Sequence, residues 1–165
     1  MFEIIEYPNK LLRKKSGNIK QISSKEVQQF IPELIETMIK KDGLGLAAPQ
    51  VGKNINIIAV RMDSGSHVFI NPAILWKNWF KKNVIEEGCL SFPGIFGLIK
   101  RPRTIWIKYY QPDGKLKIVK LSGLSSVIFQ HEIDHLRGIL FIDKIFKYIK
   151  GEDIIKELKQ NAGKE

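Results

Sequence analysis

Cysteine is almost missing from this chain. Cys89 is the only one in 165 residues, which excludes an intramolecular disulfide and suits a reducing compartment. Long apolar runs are missing as well: nothing approaches the ~18–20 consecutive apolar residues that a membrane-spanning helix needs. The first fifteen residues carry Glu3, Glu6, Lys10, Arg13, Lys14 and Lys15 and no apolar stretch of secretory length. The expectation is a cytoplasmic protein, or an organelle-matrix protein whose presequence has been removed. Acid is scarce against base, 17 Asp and Glu to 27 Lys and Arg, giving a net charge of +10. Such an excess is either a solvated lysine-rich surface or an attraction to a polyanion, most often nucleic acid. No aromatic RNA-binding segment of the RNP type is present, so any such contact is expected with phosphates and to be salt-sensitive. Internal repeats and low-complexity linkers are lacking too, and residues 1–165 read as a single domain.

What is present is ordinary for a soluble globular chain, with 44% hydrophobic and 27% charged residues. Residues 24–41 predict a helix: Ser23 or Ser24 caps it, and Val27, Phe30, Ile31, Leu34, Ile35 and Met38 repeat at helical spacing. Pro32 predicts that this helix is bent or starts late. Residues 55–62 and 67–71 read as strands around a turn at Asp63–Ser66. Residues 104–110 and 116–121 read as two more, joined by Pro112-Asp113-Gly114. From about Leu124 onward helix is expected to dominate, with a break near Gly138. Strands followed by helices predict an α+β fold, mostly antiparallel sheets around a central helix that carries the histidines described next. Trp76–Lys82 interleaves aromatic residues with lysines. It could stack on bases, but the favoured expectation is buried rings with the lysines facing water.

The chemistry concentrates in three segments. In Gln130–His135, His131 and His135 stand four apart, so a helix presents both imidazoles on one face. Leu124, Val127 and Ile128 continue that stripe, which predicts an amphipathic helix with the histidines on its buried side. Glu132 is rotated about 100° away. It is poorly placed as a ligand of the same ion but able to reach a water beside it. Cys89, in Glu86–Ser91, supplies one soft thiolate, expected in a turn. Cys89, His131 and His135 together make an incomplete metal shell, and a shell with an open position supports chemistry rather than structure alone. The extended metalloprotease form would need a third histidine where Phe141 stands. The glutamate form has only Glu157, near a lysine-rich end. His67 reads as a surface residue. The third segment, Gly43–Gln50, has small residues that permit close backbone approach, at a spacing unlike a phosphate loop. Gln50 is either an amide donor for a developing oxyanion or a surface residue after a tight turn.

Gly43–Gln50, Glu86–Ser91 and Gln130–Leu136, in this order and at these separations, closely resemble the three signature motifs of peptide deformylase. Tyr7-Pro8-Asn9 with Leu12-Arg13, Ile70-Asn71-Pro72 and Arg101-Pro102 extend the resemblance over essentially the whole chain. It implies a hydrolase that removes the formyl group from N-formylmethionine of nascent polypeptides and releases formate. It implies Cys89, His131 and His135 as ligands of one divalent ion, Fe2+ as the native metal with Zn2+, Ni2+ or Co2+ able to bind. It implies Glu132 as general base and acid toward metal-bound water, and Gln50 with the Leu90 backbone N–H as oxyanion donors. Ser125-Ser126 and Leu98 depart from the usual pattern, and Leu98 bears on peptide preference.

An apolar pocket must take the methionine side chain. Leu44, Ile85, Leu124, Val127 and Ile128 are the candidates, with Gly43, Gly45 and Gly88 giving the peptide backbone room. Glu87 and Arg101 are expected to pair and orient the ligands. The expected partners are the nascent formylmethionyl peptide and, by electrostatics, the ribosome and its RNA, with Lys144, Lys147, Lys150, Lys156 and Lys159 supplying contacts; no membrane is expected. Two other readings stand beside this one: a metallopeptidase that cuts internal bonds, and a basic ribosome-associated protein with a structural metal. The second needs a fourth protein ligand, and none is evident.

Overall fold

The computed structural model describes residues 1–162; positions 163–165 of the predicted domain lie outside the described residues. The elements run α1 (Lys25–Lys40), β1 (Gly45–Ala47), β2 (Ile57–Met62), β3 (Gly65–Lys77), β4 (Lys82–Cys89), β5 (Phe92–Pro102), β6 (Thr104–Tyr110), β7 (Leu116–Ser122), α2 (Gly123–Leu136), β8 (Lys147–Lys150) and α3 (Glu152–Ala162). The strands form two antiparallel sheets, β1-β2-β3-β6-β7 and β4-β5-β8. No helix among the described residues is long and apolar enough to cross a membrane.

Strand alternation sends neighbouring residues of β2 to opposite sides. Ile57 and Ala59 join Val27, Phe30, Leu34 and Met38 of α1 in one apolar cluster. Ile58 and Val60 join Phe129, Ile133 and Leu136 of α2 in another. The five-stranded sheet is therefore sandwiched, with α1 over β1, β2 and β3 and α2 on the other side, where it also meets β5 of the small sheet. A third cluster under the small sheet joins Phe92, Ile95 and Ile99 to Phe141, Ile142 and Ile155. This brings the Cys89 strand up against the histidine helix.

Several sequence expectations need correction. Helix α1 starts on time: the Ser24 hydroxyl accepts from the Val27 N–H at 3.4 Å. Pro32 lies inside it, on the exposed side, where water can meet the carbonyl that loses its partner. Helix α2 is not amphipathic, because from Phe129 to Leu136 every residue is buried between the two sheets. Helix does not continue to the end, since β8 takes Lys147–Lys150 after the turn at Gly138, whose φ is +71°. The β4–β5 hairpin has no counterpart among the strands expected from the sequence. Cys89 is the last residue of β4 rather than a residue within a turn. The Trp76–Lys82 rings are not buried: Trp76, Trp79 and Phe80 are 51%, 63% and 99% exposed.

Candidate active site

Helix α2 supplies two imidazoles one turn apart, ring centroids 5.0 Å from each other. Strand β4 ends against them. The β4–β5 pairing shifts register between Gly88 and Cys89, and such an irregularity re-aims a side chain at a sheet end. Cys89 Sγ lies 3.2 Å from His135 Nε2. One donor atom each of Cys89, His131 and His135 falls within 4.8 Å of the others, the one such group among the described residues. His67 is exposed and bonds to Ser64 at 2.8 Å, and Glu157 is exposed on α3.

These donors fit a divalent ion. A thiolate and two imidazoles can share one cation through bonds of about 2.0–2.3 Å. The far nitrogen of His131, Nδ1, is held by Glu87 Oε2 at 2.9 Å, which leaves Nε2 for the site. Glu132 is buried and its Oε2 has no hydrogen-bond partner among the described residues. A buried carboxylate oxygen without a partner beside three atoms able to hold a metal suits a proton-carrying group that waits for water or substrate.

Strand β1 shapes the space around Glu132. A Cβ placed on Gly45 would sit 2.7 Å from Glu132 Cδ, so only glycine lets β1 pass this close. The short 3-10 turn after β1, Ala48–Val51, then directs Gln50 inward, and the residue is buried rather than exposed. Its Oε1 accepts from the Ala47 N–H at 2.9 Å, which turns the amide Nε2 toward Cys89 Sγ at 3.4 Å and Ser91 Oγ at 3.2 Å. Gln50 thus points a donor at the cysteine end of the site.

A cleft of about 660 Å³ opens over this cluster. Gly43, Leu44, Gly45, Ile85, Glu87, Gly88, Leu90, Leu124, Val127 and Ile128 line it with Gln50, Cys89, His131 and Glu132. His135 and Arg101 lie behind it, both buried. Phe92 and Phe96 of β5, Glu86 of β4 and Lys41 after α1 also stand on its walls; which β5 residues face the cysteine follows only from the β4–β5 pairing, and nothing in the sequence marks Lys41. Leu98 is not among the lining residues; it pairs with Glu86 and Lys147 across the small sheet. Ser126 is buried and bonds to the Pro102 carbonyl at 3.1 Å.

Behind the three donors lies a buried ionic chain. Arg101 grips both oxygens of Glu87, at 2.5 and 2.9 Å, and reaches Asp134 at 2.7 Å. Lys144 also bonds to Asp134. Asp134 has no role in the sequence expectations above; its place three residues after His131, on a neighbouring position of the helix surface, is the one local signal for it.

Burial pushes the Glu87 carboxyl up, but hydrogen bonds from His131 and Arg101 outweigh it and hold Glu87 down at about 2. Burial disfavours protonated His131, yet Cys89 and Glu87 outweigh this and raise it to about 10. His135 is driven well below its ordinary value, first by burial and then by the charges of His131 and Arg101. Burial raises Glu132 to about 7. These are effects of the protein's own groups; a divalent cation at the donors would oppose the upward shifts of His131 and Glu132.

Residues 1–150 match the family model described as polypeptide deformylase. The peptide deformylase of Borreliella burgdorferi is 38% identical over 163 residues, covering 98% of this chain and 97% of that protein. The peptide deformylase of Brucella suis is 35% identical over 164 residues, covering 96% and 92%. The crystal structure of the Thermotoga maritima enzyme superposes with a TM-score of 0.85 at 39% identity, over 88% of this chain and 97% of that one. That of Synechococcus elongatus, in complex with actinonin, gives 0.85 at 31% identity, over 98% and 86%.

Proposed function

The chain belongs to the polypeptide deformylase family and is a hydrolase acting on N-formylmethionyl peptides; from that premise we propose that Cys89, His131 and His135 hold one divalent ion while Glu132 moves the protons. The observation that carries this reading is the donor cluster with the unpartnered Glu132 oxygen beside it, at the floor of a peptide-sized cleft. A divalent ion at these donors supplies Lewis acidity, making water nucleophilic near neutral pH and polarising a carbonyl.

The rest falls to the chain's own residues. The methionine side chain enters the apolar wall of Leu44, Ile85, Leu124, Val127 and Ile128, while Gly43, Gly45 and Gly88 flank the peptide backbone, their missing side chains making way for Leu90, Glu132 and Phe96. Water adds to the formyl carbon as Glu132 accepts one of its protons on a carboxylate oxygen. The Gln50 amide and the Leu90 N–H donate to the oxygen that becomes negative; one such donor is typically worth ~3–4 kcal/mol in the transition state. The C–N bond then breaks, Glu132 returns the proton to the leaving amine, and the products are formate and a free methionyl N-terminus. Glu87, held by Arg101, fixes the His131 ring through Nδ1.

Ferrous iron is the metal this reading favours, with zinc, nickel or cobalt as substitutes, in the cytoplasm or an organelle matrix, with residues 1–165 as one catalytic domain. The positive charge would draw the enzyme to the ribosome. Of the five lysines named above, Lys144 bonds to Asp134 and Lys156 to Glu152, whereas Lys147, Lys150 and Lys159 are exposed with no ion-pair partner among the described residues. Ribosome pelleting that ignores salt would contradict this attraction.

The test measures metal content together with formate release from formyl-Met-Ala-Ser. Glu132→Gln should keep one metal per chain and lose about 10²–10⁴ in turnover. Cys89→Ala should lose the metal. Full turnover in Glu132→Gln, or cleavage of unformylated peptides at the same rate, would overturn the reading.

A further inference from the structure

The five-stranded sheet is covered on its α1 side over only part of its width. Tyr110 of β6 packs beside the α1 cluster. Two and four residues before it on the same side come Lys108 and Trp106. Pairing across the sheet builds two rows here: Trp76–Trp106–Lys120, and Ala73–Lys108–Ile118. Trp76, Trp106 and Ile118 are 51%, 42% and 54% exposed. Lys108 and Lys120 are exposed too. None of these residues lines the cleft. A contiguous apolar surface on a rigid sheet, left in water, marks an interaction site.

Its charge says what the partner is. Strands β3, β6 and β7 contain no aspartate or glutamate. Among the described residues, neither Lys108 nor Lys120 has an ion-pair partner. A second copy of the chain would set lysine against lysine here with no carboxylate between them. A neutral apolar partner would bury the lysines uncompensated. A membrane surface would first engage the rings of the turn after β3, Trp79 and Phe80, 63% and 99% exposed, whereas Trp76 and Trp106 lie within strands beside the two lysines. A single strand of nucleic acid satisfies both components at once, its bases stacking on indoles and its phosphates meeting lysines.

We propose that Trp76, Trp106, Lys108 and Lys120 form a docking platform for single-stranded RNA, with unpaired bases on the two indoles and the adjoining phosphates on the two lysines. The choice of RNA over DNA rests on the proposed action on nascent chains; the platform itself does not.

The experiment uses the full-length, metal-loaded protein and a short fluorescent oligouridylate. The chain has three tryptophans, and Trp79 lies outside the two rows, on the turn after β3. A Trp79→Phe background therefore makes emission report Trp76 and Trp106 alone. The proposal expects anisotropy to rise at low salt, tryptophan emission to be quenched, and affinity to fall with salt at a log–log slope of about −0.7 per phosphate contacted. Trp76→Ala and Trp106→Ala should each weaken binding ~fivefold or more, and Lys108→Glu with Lys120→Glu should weaken it and flatten the salt slope. Formate release from formyl-Met-Ala-Ser should stay at the wild-type rate in all of them, which separates failure of the platform from failure of the catalytic reading. No binding at low salt, or binding that the tryptophan substitutions leave unchanged, overturns the proposal. Tighter binding of the matching deoxyoligonucleotide overturns the choice of RNA. Quenching by phosphatidylglycerol vesicles but not by the oligonucleotide assigns the face to a membrane surface and overturns it too.

Discussion

At the scale of single residues, the site depends on side chains whose freedom has been removed. Gln50 has one orientation because Ala47 N–H holds its carbonyl oxygen. His131 has one because Glu87 holds Nδ1. Glu132 has limited room because β1 passes over it at Gly45, whose absent side chain would occupy the space of the carboxylate. Gly45→Ala should therefore leave metal content unchanged while turnover drops by as much as ~10²-fold, the cost of misplacing a reacting group by about an ångström. Metal analysis with steady-state formate assays checks this, and an unchanged kcat would show that the close approach carries no function. The residue types and spacing of Cys89, His131, Glu132 and His135 were legible in the sequence because each motif is contiguous. Whether Gln50 faced inward was not, since this depends on one backbone hydrogen bond inside a turn.

At the scale of elements, the hairpin β4–β5 and helix α2 are clamped by charge. Arg101 on β5 meets Glu87 on β4 and Asp134 on α2, all buried. Arg101→Ala would leave Glu87 without its guanidinium and Asp134 with Lys144 alone, and breaking such a buried pair costs ~3–5 kcal/mol. Denaturant unfolding should show that loss; a change within experimental error would mean water replaces the guanidinium at no cost.

A second clasp joins the N-terminal segment to the turn before β8, where Arg13 meets Asp143 through two hydrogen bonds. Burial pushes the Asp143 carboxyl up, but Arg13 outweighs it and lowers the group below its ordinary 3.8. A depressed carboxylate stabilises the fold fully above its unfolded value and loses that contribution as pH falls through the folded one. The pair is partly exposed, so Arg13→Ala should cost at most about 1 kcal/mol at neutral pH, and the gap to wild type should close below about pH 4. A gap that widens in acid would assign Arg13 a different role.

The hairpin itself escaped sequence reading. Gly88, Gly94 and Gly97 with Pro93 interrupt its strand pattern, yet Gly88 and Gly97 are there because Phe96 and Ile145 fill the space beside them. Periodicity cannot show a glycine required by a neighbour from another element.

At the scale of the whole molecule, the α+β class and the antiparallel arrangement were legible from strand patterns followed by a helical stretch. The central position of α2 was only half so. Its histidine stripe was visible, but burial on every side comes from two sheets closing around it, and no local pattern records that. The Trp76–Lys82 segment misled for a related reason: rings in a strand are usually buried by a helix, but Trp76 lies at the far end of β3 beside Trp106 of β6, and Trp79 and Phe80 lie past the end of the strand.

The central claim is one divalent ion held by one sulfur and two ring nitrogens, with Glu132 beside it. The most direct measurement strips the protein with a chelator under anaerobic conditions, then adds ferrous iron back while following formate release from formyl-Met-Ala-Ser. The account predicts no turnover in the stripped protein, and recovery that saturates at one ion per chain in the wild type and is absent in Cys89→Ala. Deformylation at the original rate after complete removal of metal would contradict it.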